Sequence, residues 1–90
     1  MNKVECKKYI RKALKKIYAK NININVENLE RCMKEVINEE SRLYIAYGKM
    51  ALHILENSAT DINAKALISE LDVIPRLYSE YEIINITEEF

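Results

Sequence analysis

Glycine and proline are almost missing from this sequence, which has one of each among its 90 residues. Tight turns and sheet corners usually need these residues, so their scarcity favours helices over strands. A single glycine also excludes the glycine-rich loops that cradle phosphate groups, because those loops need several glycines. The sequence therefore predicts an all-α protein without a phosphate-binding loop of this kind.

Cysteine and histidine are equally scarce. Cys6 and Cys32 follow no apolar leader segment, which argues against a secreted disulfide framework and predicts a reducing cytoplasm. His53 has no Cys or His at metal-ligand spacing, and the acidic residues show no paired arrangement suited to acid–base catalysis. We therefore expect no enzyme activity, no catalytic residue, no cofactor and no metal site.

Hydrophobic residues make up 49% of the sequence, as in globular domains. We predict a single helical domain over residues 1–90, built as a small bundle of three to four helices. Residues 43–55 are apolar, aromatic or small around nearly the whole circumference of a helix, which favours a central position. The predicted helices cover residues 3–20, 26–56, 61–72 and 75–88.

The first predicted helix has two opposite sides. Its apolar stripe comprises Cys6, Ile10, Ala13, Leu14 and Ile17. Its basic side comprises Lys8, Arg11, Lys12, Lys15 and Lys16. Residues 1–26 carry eight basic residues against one acid, whereas residues 27–90 carry six against thirteen. The basic side is either a solvated surface or a binding face for an acidic protein or a nucleic acid. We expect no membrane contact, because the apolar stripe is short and lacks Trp and Phe.

Residues 21–26, NININV, alternate between Asn and β-branched residues. One interpretation is an extended linker that tucks its isoleucines under the core, with Asn25 capping the next helix. The alternative is a short strand, for which residues 81–87 offer a partner rich in β-branched residues.

The long helix predicted over 26–56 places Glu40 in the middle of its apolar face. Either a lysine of the first helix pairs with this acid, or the helix breaks near residues 39–41 and frees it. If the helix is continuous, small and apolar residues at heptad-like spacing form a second seam that suits a helix–helix contact. Its partner is either this chain's C-terminal helix or a second copy, and we predict self-association. This small-residue seam comprises Ser41, Ile45, Gly48 and Leu52.

Two signals divide the last third of the chain. Ser58 and Asp61 have the spacing of a capping box, and Thr60 or Asp61 alone is an alternative helix cap. Pro75 either ends the third helix or opens a fourth.

The stretch from Glu40-Ser41 through an apolar helix to Ile54-Leu55, followed by DINAKALISEL over residues 61–71, resembles a known family. It is similar to the enterobacterial biofilm-development and acid-resistance regulators, the AriR-like proteins, over residues 39–90. In that family a lysine precedes an apolar triplet, here Lys65 with residues 66–68, and a further helix follows, here residues 76–90. The resemblance implies an all-helical homodimer that acts as a regulatory connector without catalysis.

These observations predict a small non-enzymatic bacterial regulator that acts in the cytoplasm by protein–protein interaction. An inhibitory or neutralising protein (an antitoxin, immunity protein or phage-encoded inhibitor) is an alternative, because acidic surfaces can cap basic effectors. A nucleic-acid-binding protein that uses the basic first helix is another, and a secretion chaperone is a third.

Overall fold

A computed structural model describes residues 2–58 and 61–90 of the chain. Every regular element in those residues is helical, so the predicted all-α class is confirmed and residues 22–26 and 83–87 form no strand pair. The elements are α1 (Lys3–Lys20), α2 (Val26–Val36), a 3₁₀ turn (Glu39–Ser41), α3 (Leu43–Glu56), α4 (Ala64–Leu77) and α5 (Glu80–Thr87). The described residues thus contain five α-helices, more than the three to four predicted.

Asparagine residues lie at both ends of α1 and at the start of α2. The Asn2 side chain accepts a hydrogen bond from the Glu5 amide, and Asn21 ends α1 in the left-handed conformation at φ 54°. Asn25 then caps α2 by accepting from the Asn28 amide at 2.8 Å, as predicted. The Asn28 side chain donates back to the Asn23 carbonyl, which holds the short link between the helices in place.

The chain leaves helical geometry between α2 and α3. Of the two alternatives for residues 26–56, the break near residues 39–41 is therefore observed and the continuous helix is wrong. Ile37 and Asn38 both have extended backbone, and the Asn38 side chain accepts from the Ser41 amide at 3.0 Å to start the 3₁₀ turn. An Asn followed by two acids suits a new helix start, since the acids lie beside the positive end of the helix dipole. Glu40 is consequently exposed to solvent and needs no lysine partner.

The predicted boundaries of the last two helices, 61–72 and 75–88, also change. Asn63, and neither Asp61 nor a Ser58–Asp61 box, caps α4 by accepting from the Ala66 amide, while Thr60 lies outside the described residues. Pro75 neither ends nor opens a helix, because α4 continues through it for two more residues. Because proline has no amide hydrogen, α4 lacks one backbone hydrogen bond at this position.

Helix α5 instead begins with a capping box between Ser79 and Glu82. Its buried residues Ile83 and Thr87 fasten the helix to the rest of the chain.

Helix α3 is the element that contacts each of the other four helices. It has eight buried positions spread around its circumference, consistent with a helix covered on several sides. Helix α1 packs its predicted apolar stripe inward, since all five of those residues are buried. Its opposite, basic side is left facing solvent, which positions the candidate site.

Candidate functional site

The two cysteines are buried, and the single histidine contacts neighbouring side chains. Cys6 and Cys32 are fully buried and free of disulfides, and burial raises the pKa of the Cys6 thiol to about 12. This thiol therefore stays protonated at neutral pH. The His53 ring lies 4.4 Å from the Phe90 ring, centroid to centroid, and neighbours the Asn57 amide. The part of the chain that the structure describes contains no cluster of three or more metal-ligating side chains.

The exposed side of α1 carries four basic side chains, Lys8, Arg11, Lys12 and Lys15, which we call the basic face. Their spacing of three, one and three residues aligns them along one stripe of the helix, about 10 Å long at 1.5 Å per residue. The Lys12 ammonium lies over the Tyr9 ring, 5.8 Å from its centroid. The basic face is therefore a continuous cationic surface on a rigid element.

The basic face differs from the rest of the basic residues in having no acidic partner. Eight other basic side chains each have a nitrogen within 3.9 Å of a carboxylate oxygen: Lys3, Lys7, Lys16, Lys20, Arg31, Lys34, Arg42 and Lys49. Within residues 2–58 and 61–90, the Lys and Arg side chains without such a partner are the four of the basic face, Lys65 and Arg76. Positive charge is thus left unneutralised mainly on one side of the molecule.

Lys16, which we predicted to belong to the partner-binding side of α1, is occupied within the chain. Its ammonium donates to Glu35 of α2 at 3.0 Å, and this hydrogen bond, with the charges of Lys16 and Lys20, lowers the pKa of the Glu35 carboxyl. On the other flank, Lys7 donates to Asp72 of α4 at 2.9 Å and lowers the pKa of that carboxyl. These pairs attach α1 to α2 and α4 on either side of the basic face.

A groove of about 400 Å³ lies between the C-terminal half of α1 and the N-terminal half of α4. Its apolar floor is formed by Leu14, Tyr18, Ala64 and Ile68. Arg11 and Lys15 of the basic face line it from α1, and Lys65 lines it from α4. Among the residues that the structure describes, no carboxylate lines this groove, so the α1–α4 groove combines an apolar floor with positive charge from both walls.

A second groove, about 540 Å³, lies along α2, α3 and α5, and its charges are mixed. Lys34 and Lys49 both pair with Glu30 there at 3.5 Å. Glu80 and Glu88 contribute further acids to its lining. Because its lysines are paired with Glu30, this groove has less free positive charge to bind an anion than the α1–α4 groove has.

The four residues of the small-residue seam are all buried within the single chain. A Cβ atom added at Gly48 would lie 2.9 Å from the Met33 sulfur of α2 and 3.6 Å from the Ile10 Cδ1 of α1. The chain's own helices therefore occupy the space beside Gly48, which explains the glycine without a second copy. The predicted homodimer stays a prediction, and so does the role of Ser41, Ile45, Gly48 and Leu52 in it, although all four are buried in the single chain.

Sequence reasoning did not predict that residues of α4 line a groove beside the basic face. Lys65 entered only through the family resemblance, and Ser69 was not singled out at all. Tyr18, which belongs to neither the predicted apolar stripe nor the predicted basic side, is 56% exposed. No periodicity signals that Lys65 lies opposite Arg11 and Lys15, because their proximity arises from the packing of two helices distant in sequence.

The chain matches no protein-family model, and no curated protein or solved structure is significantly similar to it. The resemblance to the AriR-like regulators therefore stays a prediction. In the described residues, no helix is both long enough and apolar enough to cross a membrane.

Proposed function

We propose that this chain is a small non-enzymatic regulator that binds an acidic protein partner through the basic face of α1. The observation that supports this proposal is that the basic face lacks carboxylate partners while eight other basic residues have them. Like charges three or four residues apart on a helix cost roughly 0.2–0.5 kcal/mol per pair. A partner's carboxylates would convert this repulsion into attraction.

A protein partner fits this surface better than a nucleic-acid duplex does. The basic face contains one arginine, Arg11, whereas arginine is the commonest reader of base edges. The apolar floor beside the basic face is also typical of a protein contact, in which a hydrophobic centre is bordered by polar groups.

The test is affinity capture from native cell extract, performed with and without nuclease. The double variant Lys8→Glu/Lys12→Glu reverses two charges of the basic face and leaves the lining of the α1–α4 groove unchanged. The matched control, Arg31→Glu/Lys34→Glu, changes the net charge equally at exposed positions of α2. Circular dichroism of each variant checks that the helices are retained.

We expect a stoichiometric protein partner that survives nuclease, is lost with the Lys8/Lys12 variant and is kept with the Arg31/Lys34 variant. Binding should also weaken as salt rises, because exposed charges are screened. Equal capture by both variants would refute the basic face as the contact surface. Recovery of nucleic acid alone, abolished by nuclease, would replace the protein partner with a nucleic acid.

A further inference from the structure

The α1–α4 groove adds a property that charge alone does not supply, because it offers an apolar surface inside a cationic border. Tyr18 is 56% exposed although it lies beside the fully buried Ile17, and Ile68 is only partly buried. Exposed aromatic and aliphatic side chains at the centre of a surface are the usual anchors of protein interfaces. The groove therefore has the composition of an interface centre.

The two walls of the groove are helices that run in opposite directions. Lys7 near the start of α1 pairs with Asp72 late in α4, whereas Tyr18 late in α1 and Ala64 at the start of α4 both line the groove. A groove between two packed helices accommodates a third helix, whose side chains fit between their ridges. An extended peptide would find no sheet edge here, since the described residues contain no strand.

We propose that the α1–α4 groove binds an acidic amphipathic helix of the protein partner. The apolar side chains of that helix pack on Leu14, Tyr18 and Ile68. Its flanking carboxylates meet the positive charges of Arg11 and Lys15 on one wall and Lys65 on the other. This inference rests on the proposed function, because it assigns the chemistry of the partner that the basic face attracts.

The lining of the groove favours an acidic amphipathic helix over a second copy of the chain and over a single-stranded nucleic acid. A second copy of the chain would have to place an acidic amphipathic helix here, and α5, which has acids in its first turn, already buries Ile83 and Thr87 in its own core. A single-stranded nucleic acid gains affinity by stacking its bases on several aromatic rings, and this groove supplies one, Tyr18. Its remaining apolar floor is aliphatic.

The experiment measures fluorescence anisotropy with two peptides of identical composition and about three to four helical turns. One peptide places leucines along a single helical face with glutamates on both flanks, and the other has the same residues in scrambled order. The full chain should bind the amphipathic peptide roughly tenfold more tightly than the scrambled one, the difference that one well-packed anchor commonly supplies.

Three variants separate the groove from general charge. Tyr18→Ser should abolish the preference for the amphipathic peptide, and it removes an exposed side chain without opening the core. Lys8→Glu, outside the groove, should weaken both peptides equally and preserve the preference. Lys65→Glu should weaken the amphipathic peptide, and a peptide with lysine in place of the facing glutamates should recover the affinity.

Equal binding of the two peptides by the unmodified chain would refute the assignment of the groove to an amphipathic helix and leave the proposed function intact. If neither peptide bound and the affinity capture recovered no partner, the proposed function would be refuted as well. A preference that survives Tyr18→Ser would place the apolar contact elsewhere. Self-association abolished by Lys65→Glu would assign the groove to a second copy, and an oligonucleotide that competes only when Tyr18 is present would assign it to a nucleic acid.

Discussion

At the scale of single residues, Gly48 shows how one small side chain permits close packing. It lies on α3 where α1 and α2 both approach, and a Cβ atom there would sit 2.9 Å from the Met33 sulfur and 3.5 Å from the Leu29 Cδ2. Glycine costs a helix about 1 kcal/mol relative to alanine. Close packing offsets this cost, because a larger residue at position 48 would separate α3 from α1 and α2.

We expect Gly48→Leu to lower the free energy of unfolding by about 1–3 kcal/mol or more, because it overpacks a filled core. Gly48→Ala should change it by less than about 1 kcal/mol. Its gain in helix propensity opposes the contact with Met33, a flexible side chain that can shift. Urea denaturation measures both values.

The double variant Gly48→Leu/Met33→Ala serves as the control, because shortening Met33 makes room for the leucine and should recover part of the loss. If Gly48→Leu left stability unchanged and altered only the mass seen by light scattering, position 48 would face another chain. The intramolecular packing described here would then be wrong.

At the scale of the elements, the break between α2 and α3 decides which residues belong to the core. A helix continuous over 26–56 would bring Glu40 into the apolar face, whereas the turn after Asn38 exposes Glu40 and keeps Ser41 buried. Reversing the chain here also lets α3 pack back against α2. The cap of Asn38 therefore selects a bundle of short helices over one long helix.

Asn38→Ala should cost about 1 kcal/mol of unfolding free energy, the usual effect of removing a helix cap. The Ser41 amide loses its side-chain acceptor in this variant, so its hydrogen exchange should accelerate. Asn85→Ala is the control, because Asn85 is exposed on α5 and its side chain makes no hydrogen bond to the described residues. An unchanged stability for Asn38→Ala would mean that packing alone holds the break.

At the scale of the whole molecule, two charge pairs hold α1 against its neighbours and make stability depend on pH. Glu35 and Asp72 have pKa values below their ordinary 4.5 and 3.8, chiefly because Lys16 and Lys7 donate hydrogen bonds to them. Folding therefore favours the deprotonated carboxylates. Their contribution is complete above the ordinary pKa values and is lost as the pH falls through the lowered values.

We expect the free energy of unfolding to fall as the pH drops below about 4.5, and the fall to be shallower in the double variant Glu35→Gln/Asp72→Asn. Denaturant titrations at a series of pH values measure the slope. Glu56→Gln is the control, since Glu56 is exposed and unpaired, and it should keep the slope of the unmodified chain. A double variant with that same unmodified slope would contradict the role of the two pairs.

The sequence alone determined the all-α class, the span of α1, its inward stripe and its basic side, because these depend on residues within a few positions of one another. The Asn25 cap is local in the same sense. The Asn38 cap is equally local, but periodicity left a continuous helix and a break near residues 39–41 as open alternatives, since two helices that bury one face each can imitate a single longer helix.

Only the tertiary structure decided which surfaces remain free. It covered Gly48 with residues of α1 and α2, and it neutralised Lys16 with Glu35 from another helix. It also brought Lys65 beside Arg11 and Lys15 to form the α1–α4 groove. Such outcomes depend on distances between helices far apart in the chain, and periodicity within one helix carries no information about them.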